Sequence, residues 1–121
     1  MNLPLALILE DDPKLSELYN TVLKQCQYET IIIDSGRDAQ KSLETLAPVL
    51  ILLDIHLPYV SGMELLEQIH TDKRFKATTI IVMTADLYTA KDLKGTVEHI
   101  LLKTHGIANL REIATRVYPD Q

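Results

Sequence analysis

The chain has 121 residues, 46% of them hydrophobic and 24% charged, with 4 Gly and 5 Pro. That is one domain's worth of sequence, 1–121, long enough to close an apolar core without metals or disulfides, and it excludes disordered and low-complexity classes. Its 17 acidic against 12 basic side chains give a formal net charge of -5, and only 5% of residues are aromatic, so direct nucleic-acid binding by this chain is not expected.

The first apolar run, Leu5 to Leu9, has no basic residues before it and runs into Glu10-Asp11-Asp12, so it reads as a strand and not as a secretory signal. Asp12-Pro13 supplies a cap and a first-turn proline for a helix whose stripe is Leu15, Leu18, Tyr19, Val22 and Leu23. Cys26 falls past that stripe and reads as a small packing residue; a lone thiol cannot bridge internally, which fits a reducing, cytoplasmic setting. Tyr28 to Ile33 is the second apolar run, and Ser35-Gly36 opens a second helix marked by Ala39, Leu43 and Leu46. Val49 to Leu53 is the third run, followed after Ser61-Gly62 by a helix carrying Leu65, Leu66 and Ile69. Thr79 to Met83 is the fourth, followed by a short helix between Tyr88 and Gly95 with a weak stripe from Ala90 and Leu93. Ile100 to Leu102 is the fifth, and Ile107, Leu110, Ile113, Ala114 and Val117 mark a terminal helix.

Such alternation is the pattern of an α/β domain of five βα units around a parallel sheet. Ala6 to Leu9, Val49 to Leu53 and Ile80 to Met83 are continuously apolar, as expected of central strands covered on both faces. No run approaches the roughly 20 apolar residues of a membrane helix, so no membrane partner is expected.

Polar residues stand where these strands end: Glu10 and Asp11, then Asp54, Thr84 and Lys103. In an open parallel sheet the carboxyl ends of the strands form the edge where ligands bind. Gathering carboxylates there costs about 4 kcal/mol for a pair about 4 Å apart at an effective dielectric near 20, so cations are required. Lys103 is one, and Mg²⁺, which favours carboxylate and phosphate oxygens, is another. A phosphoryl group is what a metal ion, a lysine and the Thr84 hydroxyl can hold together, and an aspartate can accept it as an acyl phosphate. Asp54, on a central strand, is best placed. His56, His70, His99 and His105 lack a paired ligand spacing, so zinc is not expected, and both the phosphate-loop and dinucleotide glycine patterns are missing.

Leu7-Ile8-Leu9-Glu10-Asp11-Asp12, Leu52-Leu53-Asp54-Ile55-His56-Leu57-Pro58 with Gly62, Ile81-Val82-Met83-Thr84-Ala85 and Leu101-Leu102-Lys103 together resemble the receiver domain of two-component response regulators. The resemblance spans nearly the whole chain and implies the flavodoxin-like strand order 2-1-3-4-5. It also implies that Asp54 is the phosphoacceptor. Glu10, Asp11, Asp54 and the backbone carbonyl of His56 would hold Mg²⁺, while Thr84 and Lys103 would bind phosphoryl oxygens. Small Ala85 would leave room at the site mouth, and Asp86 there, like His56, would influence phosphoryl lifetime. The implied partners are a sensor histidine kinase or phosphotransfer protein and a downstream effector domain or protein; a homodimer through the last two units is left open.

Three features depart from the pattern. Thr104 replaces the usual proline after the lysine, where a cis bond would cost about 2.5 to 4 kcal/mol. Ile100 replaces the usual aromatic residue, and the interval from Thr84 to Lys103 is shorter than is common by roughly three residues, most of a helical turn. Read-out through the fourth helix and fifth strand is therefore expected to differ from the family's. A phosphorylation-independent interaction module is the alternative reading. A haloacid-dehalogenase-type phosphatase is a remote one, because His56 stands where its second aspartate would be. The chain reads either as a stand-alone receiver or as the N-terminal domain of a longer protein.

Overall fold

Strand and helix take turns from end to end of the computed structural model, which describes residues 3–95, 97–103 and 106–120. In chain order these are β1 (Leu5–Leu9), α1 (Pro13–Gln25), β2 (Glu29–Ile33), α2 (Gly36–Ser42), β3 (Leu50–Asp54), α3 (Gly62–Thr71), β4 (Thr79–Thr84), α4 (Leu87–Leu93), β5 (His99–Leu102) and α5 (Ile107–Arg116), with a 3-10 turn at Lys73–Phe75. The strands form one parallel sheet in the order β2-β1-β3-β4-β5. Winding reverses at β1, which pairs with β2 on one side and β3 on the other, so a crevice opens above β1 and β3.

Strand alternation feeds two cores. Ala6 and Ile8 of β1 and Leu50 and Leu52 of β3 pack against Tyr19, Val22 and Leu23 of α1 and Leu110 and Ile113 of α5. Leu7, Leu9, Ile51 and Leu53 face the other way, onto Ala39 of α2, Leu65, Leu66 and Ile69 of α3 and Leu93 of α4. Continuous apolarity in the central strands follows from this two-sided burial: Leu50 to Leu53 are at most 1% exposed. No described helix is long and apolar enough to cross a membrane.

The expected caps form. Asp12 Oδ1 accepts from the Lys14 and Leu15 N–H groups at 2.9 and 3.2 Å, with Pro13 in the first turn, and Ser35 and Ser61 cap α2 and α3 in the same way. Cys26 is half-buried at the end of α1, its Sγ 3.9 Å from Thr115 Oγ1, in keeping with a packing role. Some boundaries differ from the sequence expectation. β3 and β4 run on to Asp54 and Thr84, since pairing continues past the apolar run. α2 stops at Ser42, leaving Leu46 in the following turn, though still packed on the core. Leu18, at the margin of the α1 stripe, is 43% exposed, and Ile31 and Ile32 are partly exposed because β2 is an edge strand with one neighbour. Thr104 and His105 lie outside the described residues, and with them the Lys103–Thr104 peptide bond.

Candidate functional site

Each candidate side chain is delivered by the end of a strand. Ile8 of β1 and Leu52 of β3 face α1 and α5, so by alternation Glu10 and Asp54 rise on that same face, two residues on. Ladder bonding carries past the strand ends: the Glu10 N–H donates to Ile33 O at 3.0 Å and the Lys103 N–H to Thr84 O at 3.0 Å. These bonds fix the backbone beneath the polar groups. Glu10 and Asp54 are 2% exposed and Thr84 is fully buried, whereas Asp11 is open to solvent.

The β3–α3 loop is clamped beside Asp54. Its Oδ1 accepts the His56 N–H at 2.9 Å, and the Gly62 N–H donates to Ile55 O at 3.0 Å. A Cβ on Gly62 would stand 2.4 Å from Ile55 Cα, so only glycine permits this approach, and the same holds for Gly36, whose added Cβ would meet Val60 O at 1.9 Å. The loop is held from both ends.

Lys103 reaches across the edge of the sheet to two acids. Its Nζ lies 2.9 Å from Asp54 Oδ2 and 3.1 Å from Glu10 Oε1, with its side chain 16% exposed. Glu10 Oε2 accepts from the Asp12 N–H at 3.2 Å and from Lys103 at 3.3 Å, while Glu10 Oε1, buried, has no aligned hydrogen-bond donor among the described residues. One ammonium thus serves two buried carboxylates.

The electrostatics reflect that imbalance. Burial pushes the Glu10 carboxyl from 4.5 up to about 7, with the neighbouring Asp54 adding to the rise while the Asp12 N–H and Lys103 oppose it. Burial acts on Asp54 too, but the His56 N–H, the Lys103 ammonium and a hydrogen bond from Glu10 together hold it below its ordinary value. Burial would lower the Lys103 pKa, yet Asp54 and Glu10 outweigh it and raise it. At neutral pH, Asp54 is therefore ionised beside a charged lysine.

Glu10, Asp11 and Asp54 each present a carboxylate oxygen, and these oxygens lie within 4.8 Å of one another. An all-oxygen set open to solvent on the Asp11 side fits a hard divalent cation such as Mg²⁺, which keeps waters or phosphate oxygens in its remaining positions. A second positive charge there would offset the repulsion that one lysine leaves uncompensated.

Thr84 and Asp86 stand at and just past the end of β4, the strand beside β3. Thr84 Oγ1 accepts the Asp86 N–H at 3.1 Å, which leaves the hydroxyl proton free of any partner among the described residues. Asp86, half-buried, caps α4: its carboxylate accepts the Tyr88 N–H at 2.9 Å and the Thr89 hydroxyl at 2.8 Å. Ala85 between them is exposed, and so is the His56 side chain. The structure thus brings Glu10, Asp11, Asp54 and Lys103 into one cluster, with Thr84, Ala85 and Asp86 on the adjoining strand end. Tyr19, which the sequence presents only as a core residue of the α1 stripe, is fully buried, and its hydroxyl pKa is pushed up first by burial and then by the charges of Glu10, Asp54 and Asp12. Its polar tip, two turns from Asp12, was the one available signal.

The response regulator receiver domain family matches residues 6–115. The transcriptional regulatory protein BaeR of Escherichia coli O6:H1 is 34% identical over 94 residues, which is 78% of this chain and 38% of that protein. The DNA-binding response regulator MtrA of Mycolicibacterium smegmatis is 30% identical over 89 residues, again 38% of its length, and the polar-differentiation response regulator DivK of Brucella ovis is 34% identical over 79 residues, 64% of its length. The chain therefore spans well under half of the longer relatives it matches. Among solved structures, the CheY-like receiver domain from Methylobacillus flagellatus superposes with a TM-score of 0.83 at 24% identity, covering 96% of this chain and 99% of that one. The receiver domain of sensor histidine kinase PA1611 from Pseudomonas aeruginosa, which has a magnesium ion coordinated in its active-site cleft, superposes with a TM-score of 0.83 at 25% identity, covering 93% and 95%.

Proposed function

Because this chain belongs to the response regulator receiver domain family, we propose that Asp54 accepts a phosphoryl group from a phosphohistidine of a sensor kinase or phosphotransfer protein. The chain is a receiver domain of the two-component type, and so a signalling module. The observation that carries the assignment is Asp54 itself: buried at the end of a central strand, ionised, 2.9 Å from Lys103 and within the three-carboxylate cluster.

The chemistry follows from the neighbours. An Asp54 carboxylate oxygen attacks phosphorus, forming a P–O bond as the P–N bond to the donor imidazole breaks and the bonding pair leaves with that ring. Lys103 holds the carboxylate ionised beforehand and then has a phosphoryl oxygen to pair with. Thr84, whose hydroxyl oxygen already accepts from Asp86, has its proton to donate to another. Glu10, Asp11, Asp54 and the His56 carbonyl would hold Mg²⁺, which when bound supplies neutralisation of phosphoryl charge. Exposed Ala85 leaves the approach open, and exposed His56 with Asp86 would govern how readily water reaches the acyl phosphate. The domain's own catalysis is confined to its phosphorylation and dephosphorylation, in a cytoplasmic setting.

Read-out would then be a shift in population between two arrangements of the β4–α4–β5 region toward a downstream effector. α4 has only seven residues here, and Ile100, half-buried against the core, takes the place of a reorienting aromatic ring. Intact mass after incubation with Mg²⁺ and a small phosphodonor tests the reading. One phosphoryl gain that is lost with EDTA and in Asp54→Asn is expected; a gain of the same size in Asp54→Asn would remove Asp54 from the role.

A further inference from the structure

A buried hydroxyl in the α1-facing core has no assigned purpose. Tyr19 is 0% exposed in the α1-facing core, and its phenolic oxygen has no hydrogen-bond partner among the described residues. An unsatisfied buried hydroxyl is destabilising, and a Phe would fill the same space without that cost.

Its direction follows from the fold. α1 starts at the carboxyl edge of the sheet and runs back down over β1 and β2. Helical side chains lean toward their own N-terminus, so the Tyr19 ring rises toward the edge that carries Glu10 and Asp54. Those two acids stand on the same face of the sheet, one alternation above Ile8 and Leu52, which share the Tyr19 core. Burial first, then the charges of Glu10, Asp54 and Asp12, push the hydroxyl pKa above its ordinary range. Glu10 Oε1 is the complementary group: a buried acceptor that has the Lys103 ammonium 3.1 Å away but no aligned donor among the described residues.

We infer that the Tyr19 hydroxyl donates to Glu10 Oε1 through one buried water, and so is a positioning residue for the metal-binding carboxylate. This inference rests on the magnesium reading above. A hydrogen bond to a carboxylate favours its ionised form and fixes its rotamer, and both are needed to bind a cation.

Calorimetric titration with Mg²⁺ of wild type and Tyr19→Phe, combined with fluorine NMR of protein carrying 3-fluorotyrosine at position 19 alone, tests it. The expected results are a loss of about tenfold in Mg²⁺ affinity in Tyr19→Phe, and a position-19 resonance that moves both on Glu10→Gln substitution without metal and on Mg²⁺ addition. An unchanged affinity overturns the inference while leaving the metal site standing, and so does a resonance that ignores Glu10→Gln. Absence of Mg²⁺ binding by wild type overturns the metal reading and this inference together. Should Tyr19→Phe fail to fold, the resonance decides.

Discussion

Replacing Glu10 with Gln is expected to stabilise the metal-free protein, although it removes one of the acids that Lys103 holds. Two buried carboxylates share a single ammonium, and Glu10 bears the cost, its pKa rising from 4.5 to about 7. At about 1.4 kcal/mol per pH unit, keeping Glu10 ionised in the fold costs about 3 kcal/mol. A Gln keeps the size and can donate to Asp54 as the protonated acid does, so this cost disappears. The folded state binds the extra proton between pH 4.5 and about 7, so wild-type stability from this group falls as pH rises through that window and stays low above it. The advantage of Glu10→Gln is therefore greatest near pH 8 and shrinks to a few tenths of a kcal/mol by pH 4.5. Urea denaturation in EDTA at the two pH values measures it, with about 2–3 kcal/mol expected at the higher pH after allowance for the lost Lys103 contact. A Glu10→Gln protein less stable than wild type at pH 8 would refute the reasoning.

Lys103→Met leaves two buried acids without their cation and is expected to cost about 3 kcal/mol near neutral pH. The Asp54 pKa is lowered in the fold, so the stability it contributes is present above its unfolded value and lost as pH falls through the folded one; the penalty of Lys103→Met should shrink below about pH 4 in denaturant titrations. Gly62→Ala, whose Cβ would press on the Ile55 backbone at 2.4 Å, is expected to cost about 1–3 kcal/mol and to weaken Mg²⁺ binding by displacing the loop that holds Asp54. Asp12→Ala removes the α1 cap bonds at 2.9 and 3.2 Å and should lower stability by about 1 kcal/mol in the same assay.

Which strands are central was legible because burial on both faces leaves a continuous apolar run, as in Leu50 to Leu53; the order 2-1-3-4-5 came from the family resemblance alone. The site was legible because polar residues cannot continue such a run: Glu10, Asp54, Thr84 and Lys103 mark where the strands reach the edge of the sheet. What stayed hidden depends on partners distant in sequence. Nothing in Ile31 and Ile32 says that β2 has one neighbour and leaves them partly exposed. The length of the Lys103 side chain lets it cross from β5 to Glu10 at the end of β1, a pairing set by sheet order and not by spacing. Leu18 and Tyr19 both fit the helical stripe, yet one is 43% exposed and the other fully buried, because the arc that α1 presents to the sheet is narrower than the apolar arc. Asp86 shows the reverse case, where a residue assigned to the site mouth by resemblance also spends its carboxylate on capping α4.

The central claim is that a single side chain, Asp54, takes the phosphoryl group. Borohydride reduction after phosphorylation converts an aspartyl phosphate to homoserine, and peptide mass spectrometry then names the residue. The account predicts homoserine at position 54, formed only in samples treated with phosphodonor and Mg²⁺. Homoserine at Asp11 or Asp86 with position 54 unmodified would contradict it.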